Sequence, residues 1–206
     1  MSELPLSRKE RERQRHRNEI MAAAEKVFAE KGYHECSIQD IANEAEFSVG
    51  TIYNFFSNKE GLFSSILKNG KAEMASEIDR RMNELACPVE KIRSIVDCFM
   101  ETAEKHKGFI RLVFDYNKPT AINRGCFVDQ EMVDSHLEFL QKMADVFAEA
   151  IEQGKILPLN PRHLAIALDG MMVKFFEHFP LLDELDNYND ITPIIDEIFI
   201  KRVLVD

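Results

Sequence analysis

Apolar residues recur at helical spacing along almost the whole chain, and that periodicity leaves little choice of fold. Ile20, Ala24, Val27 and Phe28 repeat at i, i+4, i+7 and i+8, which lays them on one face of a helix. Val89, Ile92, Val96, Phe99 and Ala103 make a second stripe. Val133, Leu137, Leu140, Ala144, Phe147 and Ile151 make a third, with spacings of four and three in turn. Ile191, Ile194, Ile195, Ile198 and Phe199 make the last. Alternating runs of the kind a half-buried strand needs are missing, and there is no internal repeat. The expected fold is all-α: three short helices, then about six longer ones.

Capping residues punctuate these stripes. Gly32 stands where a helix would stop. Ser37 reads as an N-cap with Asp40 favouring the same helix start, and Ile38, Ile41, Ala42 and Ala45 line a short helix. Ser48 opens a second short helix. Ser57 is expected to cap the next one, with Glu60 completing a capping box, and that helix runs to about Leu85. Pro88 suits a first helical position. A shorter helix is expected near Phe109 to Asp115, followed by a loop, "NKPTAINRG". Gly154 closes the long third stripe. Pro161 opens a further helix that Pro180 ends, and "DELDNYND" is a polar connector.

Charge is unevenly placed. The 206 residues carry a formal net charge of −10, which argues against non-specific nucleic-acid binding by the whole protein. Yet Arg8, Lys9, Arg11, Arg13, Arg15 and Arg17 crowd the N-terminus, and most of the acid follows residue 70. A basic arm on an acidic body fits one end meeting an anionic partner; a solvated tail remains the alternative from charge alone. The stretch from Met1 to Asn18 has no apolar segment, so no secretory leader is expected. No apolar run reaches the roughly 20 residues of a membrane helix, so no membrane partner and a cytoplasmic location are expected. Cys36, Cys87, Cys98 and Cys126 are scattered and expected to be reduced. His106, His136, His163 and His178 lack metal-ligand spacing. Phosphate loops, nucleophile elbows and metal clusters are missing, so no catalytic site, metal or cofactor is expected.

The informative stretch is "EFSVGTIYNFFSNKEG", Glu46 to Gly61. At about 100° per residue, Ile52 and Phe56 share one side, flanked by Val49 and Phe55. Gly50 and Asn54 fall opposite, with Thr51 and Tyr53 on the borders. That is a helix lying on a body with a small polar edge outward. A glycine near its start lets another backbone approach. Ser37 to Ala45, a short turn, then Ser48 to Phe56 is helix–turn–helix spacing. In that motif the second helix enters the major groove and its N-terminal residues meet base edges. Ser37 and Lys59 are placed for phosphates. The candidate DNA-binding residues are Ser37, Ser48, Val49, Gly50, Thr51, Tyr53, Asn54 and Lys59.

From Ile20 to Leu67 the chain resembles the DNA-binding domain of TetR-family (tetracycline-repressor-like) regulators. The resemblance rests on F-A-E-K-G-Y, S-I-x-D-I-A, S-x-G-T-I-Y-x-x-F and K-E-x-L, in that order. It implies a basic arm at 1–18, a helix–turn–helix DNA-binding domain at 19–62 and a helical ligand-binding and dimerisation domain at 63–206. It also implies a homodimer on a palindromic double-stranded operator, a repressor released by a small apolar or amphipathic ligand. The expected dimer interface is the last two helices, Pro161 to Phe179 and Ile191 to Leu204. Thr51, Tyr53 and Lys59 match positions that commonly touch DNA in the family, and Ser37 matches a phosphate contact. Three positions depart. Glu46 stands where the turn usually has glycine, which puts a non-glycine residue in the left-handed region. Val49 stands where a polar residue is common, so a contact with a thymine methyl is expected. Phe55 stands where histidine is common, so packing is expected there. Candidate ligand-binding residues are Phe99, Phe109, Phe114, Phe139, Met143, Met171, Met172 and Phe175, suited to an adaptable apolar pocket. Asp169 and Glu138 could meet a cationic ligand. Ligand-independent DNA binding or an architectural role stays open as an alternative; an enzyme is not expected.

Overall fold

Capping decides where the helices begin in the computed structural model, which describes residues 7–106, 130–178 and 190–205. The first helix, α1 (Arg8–Lys31), starts at Ser7 with a capping box. The Ser7 hydroxyl accepts from Glu10 N at 3.3 Å, and the Glu10 carboxylate accepts from Ser7 N at 2.8 Å. The cations at positions 8–17 therefore sit in the first turns of α1, and Lys9, Arg13 and Arg17 continue the line of its buried face.

The chain divides into two compact units at Asn69 and Gly70. In the first unit, α1 ends at Gly32 (φ 80°) and is followed by α2 (Ile38–Glu44), α3 (Val49–Phe55) and the start of α4 (Lys59–Glu84). The helix α4 opens one residue later than expected. Asn58, not Ser57, caps it: its Oδ1 accepts from Gly61 N at 2.7 Å, because Asn58 is the residue directly before the first helical one. Ile20, Ala24, Val27, Phe28, Ile41, Ile52, Leu62 and Phe63 are all buried and form the core of this unit. The rings of Phe28, Tyr33 and Phe63 pack on one another at centroid distances of 5.1–5.5 Å.

The second unit holds α5 (Pro88–Lys105), α6 (Gln130–Glu152), α7 (Pro161–His178) and α8 (Ile191–Ile195). A π-helical turn at Asp196–Ile200 and a last turn at Lys201–Val203 carry α8 on to the C-terminus. Pro88 takes the first position of α5, whose stripe Val89, Ile92, Val96, Phe99 and Ala103 is buried. Met143, Phe147, Leu168, Met172 and Ile195 close the same core. Gly154 (φ 66°) ends α6. Val133 and Leu137 differ from expectation: they are exposed, and the buried face of α6 starts only at Phe139 and Met143. Leu157 N donates to Val203 O and Val205 N to Lys155 O, a single antiparallel bridge that ties the C-terminus to the loop after α6. No strand is formed among the described residues. The expected helix near Phe109 to Asp115, the loop "NKPTAINRG" and all but the last residue of "DELDNYND" lie outside the described residues. No described helix is long and apolar enough to cross a membrane.

Candidate nucleic-acid interface

The helix α2 is fixed at both ends by local chemistry. At its start the Ser37 hydroxyl accepts from Asp40 N at 3.1 Å and donates to Asp40 Oδ2 at 2.6 Å, and Ser37 N donates to the same carboxylate at 2.9 Å. Lys31 Nζ reaches Asp40 Oδ1 at 2.6 Å. The Lys31 ammonium, then the Ser37 hydroxyl, hold the Asp40 carboxyl far below the usual range. Ser37 is exposed, but its hydroxyl proton is committed to Asp40. At the other end Phe47 N donates to Ala42 O at 3.0 Å and Glu46 N to Asn43 O at 3.3 Å. These bonds form a Schellman-type stop that needs a left-handed residue between them. Glu46 takes that conformation, φ 57°, as its place in the turn implied.

The turn sets α3 across the body with one face in and one edge out. Ser48 caps it, its Oγ accepting from Thr51 N at 3.0 Å and lying 2.8 Å from Thr51 Oγ1. Ile52 is fully buried and Phe56 nearly so. Val49 and Thr51 are half-buried, whereas Gly50, Tyr53 and Asn54 are exposed, Tyr53 by 53%. A Cβ built on Gly50 would meet only Ser48 Oγ, at an ordinary 3.7 Å. Nothing inside the chain therefore demands glycine there.

Three cations tie this helix and its neighbours together, and two of them, Arg13 and Arg17, fall outside the candidate set. Arg17 of α1 donates to Phe55 O at 3.3 Å and to Ser65 Oγ at 3.0 Å, with its guanidinium 4.4 Å from the Phe56 ring centroid. It thus joins α1, the C-terminal carbonyl of α3 and α4. Arg13, one turn earlier, lies over the Phe55 ring at 5.8 Å. The signal was present in the sequence: Arg13 and Arg17 continue the buried face of α1 at i, i+4 spacing. The third cation, Lys59, donates from Nζ to Tyr33 O and to Cys36 O, each at 2.8 Å, and lies 4.5 Å from the Tyr33 ring centroid. Its ammonium bonds the connection between α1 and α2. Burial pushes the thiol of Cys36, beside this clamp, above its usual range.

In the second unit the expected ligand residues come together as core. Phe99, Met143 and Met172 are buried in one cluster, with Phe139, Met171 and Phe175 packed against it. Phe109 and Phe114 lie outside the described residues. Phe139 and Met143 line a cleft of about 60 Å³ together with Ile78, Met82 and Glu138. Asp169 is largely buried and sits 3.4 Å from His136 Nε2. Burial raises its carboxyl pKa, an effect that His136 and Lys71 partly offset.

A short helix, a four-residue turn and a second helix with an exposed polar edge, packed on a longer first helix, define a helix–turn–helix DNA-binding domain. Residues 20–66 match the bacterial regulatory proteins of the tetR family. HTH-type transcriptional regulator HbdR of Aromatoleum sp. (strain CIB) is 32% identical over 108 residues, 52% of this chain and 47% of its own length. The fatty acid metabolism regulator protein of Bacillus subtilis (strain 168) is 29% identical over 128 residues, 62% of this chain and 58% of its own. The chain covers about half the length of these two relatives. In fold it is similar to the transcriptional regulator FadR from Bacillus subtilis in complex with stearoyl-CoA. The TM-score is 0.77 at 20% identity, covering 90% of this chain and 98% of that one. Over residues 20–66, then, the chain carries a DNA-binding domain of the tetR family of bacterial regulatory proteins.

Proposed function

We propose that this protein is a dimeric transcriptional regulator, a repressor that reads a palindromic operator and releases it when a small apolar or amphipathic ligand binds the second unit. One observation carries the DNA-binding reading: Gly50, Tyr53 and Asn54 form an exposed edge on a helix tied to its neighbours. Internal packing explains neither the glycine nor the outward tyrosine. Val49, Gly50, Thr51, Tyr53 and Asn54 then face the major groove, Val49 offering its methyls to thymine. Ser48 and the N–H groups at the starts of α2 and α3 follow the phosphates, and Ser37 joins them by turning its hydroxyl proton from Asp40 to a phosphate oxygen. Lys59 contributes its positive charge there, although two of its three N–H groups go to carbonyls.

Pairing of two chains is supported by the apolar residues that the second unit leaves outside. Ile166 of α7 and Ile194 and Ile198 of the terminal helical stretch are 45–56% exposed. On α7, Ala167 and Gly170 are exposed as well, so a partner helix can come close. The ligand reading is supported by the Met and Phe side chains of the second unit and by the stearoyl-CoA held by the Bacillus subtilis structure. Long-chain acyl-coenzyme A thioesters are therefore the first ligands to test. Among the described residues this cleft measures about 60 Å³, against roughly 300–1,000 Å³ for typical ligand pockets, which supports a second reading, DNA binding without ligand control.

The deciding experiment enriches duplexes from a random pool with the wild type and with Tyr53→Ala, across a range of salt. The expected result is a palindromic consensus that Tyr53→Ala does not recover. A pool without consensus, or one indifferent to Tyr53, overturns the reading. Acyl-coenzyme A added to the wild-type complex then separates release by ligand from ligand-independent binding.

A further inference from the structure

The cations on the first turns of α1 are held in a way that a solvated tail does not require. Lys9, Arg13 and Arg17 stand at i, i+4 and i+8 on one face of α1. Like charges at that spacing repel one another and weaken a helix. Glu10, the carboxylate within reach of Arg13 on its own helix, is bound to Ser7 N instead. Arg17 is absorbed by the structure, its guanidinium donating to Phe55 O. That bond also quenches the partial negative charge at the C-terminus of α3, which would otherwise repel a phosphate.

Arg13 and Lys9 are exposed. The Arg13 guanidinium lies over the Phe55 ring, 5.8 Å from its centroid, a contact that restrains the group while the side chain stays exposed. The contacts along α1 show where this group lies. Lys31 meets the start of α2 through Asp40 and Lys26 meets its end through Glu44. His16 then meets Phe47 in the turn, and Arg17 and Arg13 meet the end of α3. Lys9 is one turn further out, about 6 Å along the axis. The N-terminal turns of α1 thus lie beside the C-terminal end of α3.

We propose that Arg13, laid on the Phe55 ring and supported by Lys9, is a phosphate-binding seat at the C-terminal edge of α3, and that its ligand is the DNA backbone flanking the base pairs α3 reads. The seat rests on the DNA-binding reading above and adds affinity without sequence preference.

Its test is a titration of affinity against salt by fluorescence anisotropy, on the enriched duplex and on a scrambled one. Arg13→Gln is expected to lower affinity on the order of tenfold for each phosphate that goes unbound, and to make the slope of log K against log salt shallower by about 1.8, which is 0.9 for each of two subunits. The preference for the enriched duplex should stay. Arg13→Lys should keep most of the slope. Neutral methylphosphonates placed singly along the flanking backbone should weaken the wild type at one position in each half-site, and leave Arg13→Gln indifferent there. Thermal melting of each variant checks that it folds. An Arg13→Gln protein that melts like the wild type and keeps the full slope overturns the seat. If sequence preference survives Tyr53→Ala, the reading of bases by the exposed edge of α3 is at fault. If Tyr53→Ala abolishes it while Arg13→Gln is silent, only the seat fails.

Discussion

Replacing Lys59 by Met separates a structural clamp from a phosphate contact. Methionine keeps a stem of similar length and its packing, but loses the ammonium. Two hydrogen bonds of 2.8 Å to Tyr33 O and Cys36 O disappear, together with the stacking of the ammonium on the Tyr33 ring. A hydrogen bond from a charged donor contributes about 1.5–3 kcal/mol in favourable settings, and a partly exposed cation–π contact about 0.5–1 kcal/mol. Lys59 is half-buried, so water replaces part of this. The expected loss is about 2–3 kcal/mol. Urea unfolding followed by circular dichroism, without DNA, measures it through the transition of the first unit. A Lys59→Met protein as stable as the wild type within about 0.5 kcal/mol, yet weaker on DNA, would refute the clamp and make Lys59 a phosphate ligand only.

Three further outcomes follow from the same geometry. Glu46→Gly should stabilise the chain by about 0.5–1 kcal/mol, because a left-handed L-residue costs about 1–2 kcal/mol and glycine returns part of that as unfolded-state entropy; thermal melting reads the shift, and a loss of stability would contradict it. Gly50→Ala should leave stability unchanged or raise it by up to about 1 kcal/mol, since a Cβ there meets only ordinary contacts, while weakening operator binding; unaltered affinity would mean that no backbone approaches Gly50. Asp169→Asn bears on pH. Burial raises the Asp169 carboxyl, with His136 and Lys71 offsetting part of the effect. The folded state therefore binds the proton more tightly than the unfolded one, and stability falls as pH rises from the ordinary carboxylate range through the raised value. Asparagine removes that dependence, so melting curves from pH 4 to 8 should be flatter for the variant and higher at the alkaline end; parallel curves would show that the carboxylate is not held in a poorly solvated site.

Much of this molecule was legible because it depends on neighbours along the chain. Ser37 and Ser48 cap α2 and α3 through residues three positions on, and Pro88 and Gly32 mark ends by their own backbone preferences. The left-handed conformation of Glu46 was readable from its place in the turn. The outward set Gly50, Tyr53 and Asn54 followed from the angular period of α3 alone. The start of α4 differs by one residue from expectation because Ser57 and Asn58 are both good caps, and only the backbone path chooses between them. Val133 and Leu137 fit their stripe, yet periodicity does not say how far along its face a helix stays covered.

The sequence by itself determined that the chain is helical, where most helices begin, and which edge of α3 faces outward. These properties come from steric preferences and hydrogen bonds within a few residues. Tertiary structure alone decided what the distant cations do. Arg17 and Ser65 are 48 positions apart, and Lys59 and Tyr33 are 26 apart. A guanidinium or ammonium in the sequence suits a phosphate, a carboxylate or a carbonyl equally well. Which it meets depends on where folding of the other helices places those acceptors, so the clamp at Lys59 and the platform under Arg13 became visible only once α1, α3 and α4 were packed together.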